Sequence, residues 1–207
     1  MLRNRALMAY VLAFSGNIAE VSAVRAGFVA YLTWAFELPY NQLNAPPPAI
    51  ISGLASLAGF AAAIVIAECA LRWGQRAIVL TCMASVFLLL AGSAGGSSTV
   101  AVPLLVLAQI ASLADASALA SGAVAAADPT RRGAALAIFA FVGYSAAFIG
   151  PVAVGIALDG FGGAGSASGW SAAFVTMALG STAVALAMRF TPERSLRLTG
   201  PVSGNRN

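Results

Sequence analysis

The chain contains no lysine and no histidine, and only two cysteines. Charge of any kind is scarce: 9% of the 207 residues are Asp, Glu, Lys or Arg, against about 25% in an average soluble domain. Without histidine there are no imidazole metal sites, no Ser–His nucleophilic pairs and no histidine proton relays. Cys69 and Cys82 flank one short loop; two thiols alone do not make a zinc site, so they read as helix-packing residues. No metal-ligand or cofactor pattern is present. No G-x-x-x-x-G-K loop occurs, so the chain supplies no ATP-driven step. With no lysine clusters, nucleic acid finds no binding surface here.

What is present is oil. Hydrophobic residues make up 60% of the chain, and the mean hydropathy is +0.88. Such a surface belongs in lipid, and the class is an integral membrane protein. A bilayer core about 30 Å thick takes roughly 20 apolar residues of helix. Six segments qualify: Ala6–Phe36, Pro48–Ala70, Ala77–Ala91, Val100–Ala126, Ala134–Leu158 and Trp170–Met188. Between them lie NQLNAPPP at 41–48, GSAGGSS at 92–98, ADPTRRG at 127–133 and DGFGGAGSASG at 159–169, rich in turn-forming residues. The opening MLRNRALMAYVLAFSG has the form of a signal peptide. However, the apolar run continues to Phe36 and no A-x-A site follows Phe14.

All eleven basic residues are arginine. Arg3 and Arg5 precede the first segment, Arg72 and Arg76 follow the second, and Arg131 and Arg132 follow the fourth. Arg189, Arg194, Arg197 and Arg206 follow the sixth. The other three connections carry none, so ten of the eleven fall on one side of a six-helix bundle. The positive-inside rule makes that side, and both termini, cytoplasmic. Residues 1–190 then form the six-helix domain and 191–207 a disordered cytoplasmic tail, in a multi-pass protein of the plasma (inner) membrane with the lipid bilayer as its solvent.

The exception is Arg25, inside the first segment with Glu20. A charge at the bilayer centre costs at least ~2.5–3.5 kcal/mol and needs protein, water or a countercharge. Five residues apart, the two stand about 140° apart on a helix and do not face each other. Asn17 shares the face of Glu20. In the fourth segment Gln109, Ser112 and Asp115, spaced by three, form a polar strip, and Asp115 is the candidate countercharge of Arg25. Polar groups concentrated on the first and fourth of six helices are what a 3+3 repeat produces. These residues are candidates for a substrate or ion path; the alternative is an interhelical ion pair that only fixes packing. In the fifth segment Tyr144 is a candidate cavity residue. Gly150, Pro151 and Gly155, within IGPVAVG, form a candidate hinge or gate, or else a tolerated proline in a packed helix.

The loop AECALRWGQRAIVL resembles the conserved loop between the second and third helices of each half of major facilitator superfamily transporters. Arg72, Gly74 and Arg76 match; Ala67, Leu71 and Gln75 depart from it. IGPVAVG resembles the Gly-Pro signature of that superfamily's antiporters, and ADPTRRGAALAIF its short cytoplasmic loop. The resemblance is to a C-terminal six-helix half. It implies an all-α half-bundle with the first and fourth helices beside a central cavity and the third and sixth facing lipid. It also implies alternating-access transport of a small solute or ion, with the opposite wall supplied by a missing N-terminal six-helix half or by a second copy. Among rival classes, a rhomboid-like protease needs histidine and an aquaporin-type channel needs paired NPA turns; neither is present. A lipid-modifying enzyme lacks its clustered acids, and the alternative that remains is a non-transporting or structural membrane protein, or a membrane-embedded enzyme of another kind.

Overall fold

The computed structural model describes residues 4–38, 46–94 and 98–189. The proposed tail at 191–207, Arg3 and most of NQLNAPPP lie outside the described residues. The described chain is all helix: α1 (Arg5–Glu37), α2 (Pro48–Trp73), α3 (Gln75–Ala94), α4 (Ser98–Ala114), α5 (Ala116–Ala126), a short 3-10 turn (Pro129–Arg131), α6 (Arg132–Gly160) and α7 (Ala167–Arg189). Six helices are long and apolar enough to cross a membrane, α4 and α5 together forming the fourth. The third, drawn from sequence at Ala77–Ala91, extends at both ends to Gln75–Ala94.

The helix ends follow local chemistry. The Asn4 side chain caps α1 by accepting from the Leu7 amide at 3.2 Å. Pro48 opens α2, where a missing N–H costs nothing. Gly74 ends α2 at φ 66° and ψ −149°, a conformation open almost only to glycine.

α1 packs chiefly on α6 and α7; the fourth span packs on α2 and α3; α3 and α7 pack on each other. Thus α1, α7, α3 and the fourth span close a four-helix core, with α2 and α6 laid against its outside. The resemblance places the third and sixth helices toward lipid, and each of them has one exposed apolar face and one buried face. Leu80, Met83, Phe87 and Leu90 of α3, and Val175, Leu179 and Leu186 of α7, are exposed. The opposite faces of both helices are sealed into the core: Ile78, Cys82, Ser85 and Leu89, and Trp170, Phe174, Met177 and Ser181, are buried. The most open helices are α2 and α6, with Leu54, Leu57, Phe60, Ile64, Phe141, Phe148 and Ile156 exposed. So much exposed apolar surface is at home in acyl chains and not in water.

The core comes in two apolar clusters. One joins Leu7, Tyr10, Ala70, Ile78, Ala127, Ala135 and Met188. The other joins Val24, Phe28, Leu32, Leu89, Leu105, Trp170 and Phe174. The residues of the first flank Arg5, Arg72, Arg76, Arg131, Arg132 and Arg189, so these arginines gather at one end of the bundle. Asn4 ties this end together, its amide donating to the Ala126 carbonyl at 2.8 Å.

Candidate functional site

Between the two apolar clusters lies a polar layer. It is built from Asn17 and Glu20 of α1, Ser85 of α3, Gln109, Ser112 and Asp115 of the fourth span, and Ser181 of α7, all buried. Both carboxyl groups are 1% exposed. The layer crosses the helices near their middles, so it sits near mid-membrane in any spanning orientation.

Each helix contributes for a local reason. Asn17 and Glu20, three apart, share the inward stripe of α1 with Phe14, Val21 and Val24. The Asn17 amide donates at 2.8 Å to the Ser112 carbonyl and at 2.6 Å to Asp115 Oδ1. Cys82 Sγ donates to Asp115 Oδ2 at 2.9 Å. Ser181 donates its hydroxyl to Glu20 Oε2. Gln109 reaches outward, its amide donating to Ser56 of α2 at 3.3 Å, while Ser112 Oγ donates to the Gln109 carbonyl at 3.1 Å. Asp115 stands at the joint of the fourth span, where α4 ends at Ala114 and α5 starts at Ala116; its backbone stays in the helical region at φ −93° and ψ −14°, and its carbonyl accepts from the Leu119 amide at 3.0 Å. Close backbone approach lets α7 reach Glu20, because a side chain on Gly180 would meet Glu20 Cβ at 2.6 Å.

Four buried oxygens or hydroxyls in this layer have no protein partner among the described residues: Asn17 Oδ1, Glu20 Oε1, Ser85 Oγ and Gln109 Oε1. An unpaired buried polar group costs about 1–3 kcal/mol. The layer therefore holds more hydrogen-bonding capacity than packing alone uses.

The seven path residues read from the sequence separate into two sets. Asn17, Glu20, Gln109, Ser112 and Asp115 come together in the layer. Arg25 and Tyr144 do not join it. Arg25 is exposed, on a row of α1 with Val29 and Thr33 and next to exposed Ala26. Its expected pairing with Asp115 is not formed: Asp115 is held by Asn17 and Cys82, and the 140° that separates Arg25 from Glu20 carries it out of the core. Among the described residues the ion pair that forms is Arg72–Glu68, at 2.9 Å on the surface. Tyr144 is 62% exposed and meets Phe14 edge-on at 6.2 Å.

In the loop resembling the superfamily motif, Arg72 binds Glu68 one turn back, Gly74 makes the turn, and Arg76 is exposed. In the candidate hinge, α6 runs unbroken through Pro151. Gly150 is pressed on α1, and a Cβ there would collide with the Ala19 carbonyl. Gly155 faces open space. At the rim, the Asp128 carboxyl accepts from the Thr130 amide at 2.9 Å and the Thr130 hydroxyl at 2.8 Å. Chiefly through that amide, and aided by nearby Arg131, it is held below the usual carboxylate range.

Sequence reasoning did not single out Ser85 and Ser181, and read Cys82 only as a helix-packing thiol. An isolated serine or cysteine on a helix gives no periodic signal, and its partner lies far away in the chain. No trio of His, Cys, Asp and Glu suited to a metal ion occurs among the described residues. No protein-family model matches the chain, and no curated protein matches it in sequence.

Proposed function

We propose that the chain is one six-helix half of a secondary transporter of the major facilitator type, moving a small solute across the plasma membrane by alternating access, coupled to an ion. The observation that carries this reading is the mid-bundle polar layer: two carboxyls and four unpartnered polar atoms where lipid-adjacent helices are otherwise apolar. Intramembrane ionisable groups of this kind mark substrate and ion pathways.

Two further features support it. Exchanging helices one, two and three for four, five and six leaves the pattern of close neighbours unchanged: one packs on five and six, four on two and three, and three on six. That is what a 3+3 repeat gives. The arginines gathered at one end favour a cytoplasmic position for that end and for both termini. Arg25 supplies the partner argument. A guanidinium exposed about 7.5 Å along the helix from Glu20 is costly against acyl chains. The open face of α1 is therefore read as the wall of a wet path, completed by an N-terminal six-helix half or by a second copy. The chain is read as a carrier and not an enzyme.

One observation favours a second reading, a non-transporting membrane component. Asn17 and Cys82 both donate to Asp115 and so join three helices, as a packing clamp would. To decide, radiolabelled small organic anions and cations are offered to cells carrying the wild type, Glu20→Gln or Arg25→Met, with membrane protein level measured separately. Uptake that both variants abolish at normal protein level supports transport. Uptake no greater than in cells without the chain, with variants lost by degradation, supports the clamp.

A further inference from the structure

We infer that the polar layer is a binding site for one small hard monovalent cation of the size of sodium, held by Glu20, Asn17 and Ser85. The inference concerns binding and does not require the chain to be a transporter.

Three of the four unpartnered polar atoms of the layer are Glu20 Oε1, Asn17 Oδ1 and Ser85 Oγ, on residues no more than 1% exposed. They belong to one place. Asn17 and Glu20 share a face of α1, the nitrogen of the Asn17 amide binds Asp115, and the Ser85 hydroxyl lies within hydrogen-bonding reach of the Glu20 carboxyl. The amide is thereby oriented: its nitrogen is committed to Ser112 and Asp115, and its buried oxygen has no partner among the described residues.

The donor set defines the ligand. Carboxylate, amide and hydroxyl oxygens suit hard cations, whereas imidazole and thiolate ligands, which suit softer metals, are not offered. Cys82 is engaged as a donor to Asp115. Calcium requires six to eight oxygens and several carboxylates. Here both Asp115 oxygens already accept hydrogen bonds, and one carboxylate oxygen, one amide oxygen and one hydroxyl remain free. That set, with Ser181 beside Glu20, fits a single positive charge. A proton is the natural competitor. The groups facing the site are Glu20, Asp115 and Cys82; α7 contributes Ser181, and Arg25 lies on the opposite side of α1. A search for His, Cys and acid spacing does not detect such a site, because two of its three ligands are Asn and Ser.

The full chain in detergent is unfolded by heat at pH 8 in sodium, potassium or N-methylglucamine chloride at equal ionic strength. Wild type, Glu20→Gln, Ser85→Ala and a surface control, Ser145→Ala, are compared. The expected result is a midpoint that climbs by roughly 3–6 °C per tenfold of sodium above its Kd, in the wild type and Ser145→Ala alike. Glu20→Gln abolishes the climb, and Ser85→Ala moves it to roughly tenfold higher sodium. If Glu20→Gln does not fold, Ser85→Ala carries the test alone. Identical midpoints in sodium and N-methylglucamine overturn the inference, as does a sodium climb unchanged in Ser85→Ala. Stabilisation by acid alone, with no sodium effect, also overturns it by assigning the site to a proton. Either failure leaves the transport reading to its own uptake test.

Discussion

Asn17 of α1 donates a hydrogen bond of 2.6 Å to Asp115, the residue at the joint of the fourth membrane span. The contact joins positions 98 residues apart and sets the level of the polar layer. Through its second oxygen Asp115 also receives Cys82 of α3, so one carboxyl ties three of the four core helices together.

That arrangement predicts a graded response at Asp115. Asp115→Asn keeps the side-chain shape and an acceptor oxygen, and membrane abundance stays near wild type. Asp115→Ala leaves the Asn17 amide and the Cys82 thiol short of a buried partner, and should destabilise the chain by about 1–3 kcal/mol. Denaturant titration in mixed micelles measures the difference.

The two glycines of the candidate hinge separate in the same assay. At Gly150 an added methyl group meets the Ala19 carbonyl, a backbone atom that cannot swing aside. Gly150→Ala is expected to cost about 1–3 kcal/mol. Gly155 faces open space, and Gly155→Ala should lie within about 0.5 kcal/mol of wild type. A reversed order would contradict this placement and make Gly155 the close-packed position.

Topology gives a third expectation. Cysteines placed at Arg72 and Arg131 should react with an impermeant maleimide from one side of the membrane, and one at Gly165 from the other. Reaction of Arg72→Cys and Arg131→Cys from opposite faces contradicts a bundle whose arginines share an end.

At the rim, the Asp128 carboxyl is held low by the Thr130 amide. A carboxyl with a depressed folded-state pKa contributes stability above its unfolded value and loses it as pH falls through the folded one. Asp128→Asn should therefore lower the thermal midpoint near neutral pH and converge with the wild type in acid. A gap that persists unchanged below the carboxylate range contradicts the assignment.

The six spans were legible because length and hydropathy in lipid leave little choice of structure. Asn17 and Glu20, and the Gln109–Ser112–Asp115 strip, were legible as shared faces because helical spacing fixes direction. The helix rotation that buries Glu20 also predicts that Arg25 points outward; seeking a countercharge for Arg25 in Asp115 overrode that geometry. The joint at Asp115 left no trace, since LADAS contains no breaker. As partners of the carboxyls, Ser85, Cys82 and Ser181 were invisible because helix packing alone decides which lone small polar residues meet a carboxyl. Which face of the third and sixth helices is sealed in the core was illegible for a related reason: both helices are apolar on both faces, so hydropathy does not distinguish the buried face from the exposed one.

The most direct test of the account asks what covers α1 beside Arg25. In a Cys69→Ser background, Ala26→Cys is exposed to a small impermeant maleimide in the native membrane, with Gly165→Cys as a loop reference and Phe148→Cys as a lipid-facing one. The account predicts that Ala26→Cys reacts at a rate near the loop reference, because the face lines water. A rate as slow as that of Phe148→Cys would place acyl chains against Arg25 and contradict the wet path on which the transport reading stands.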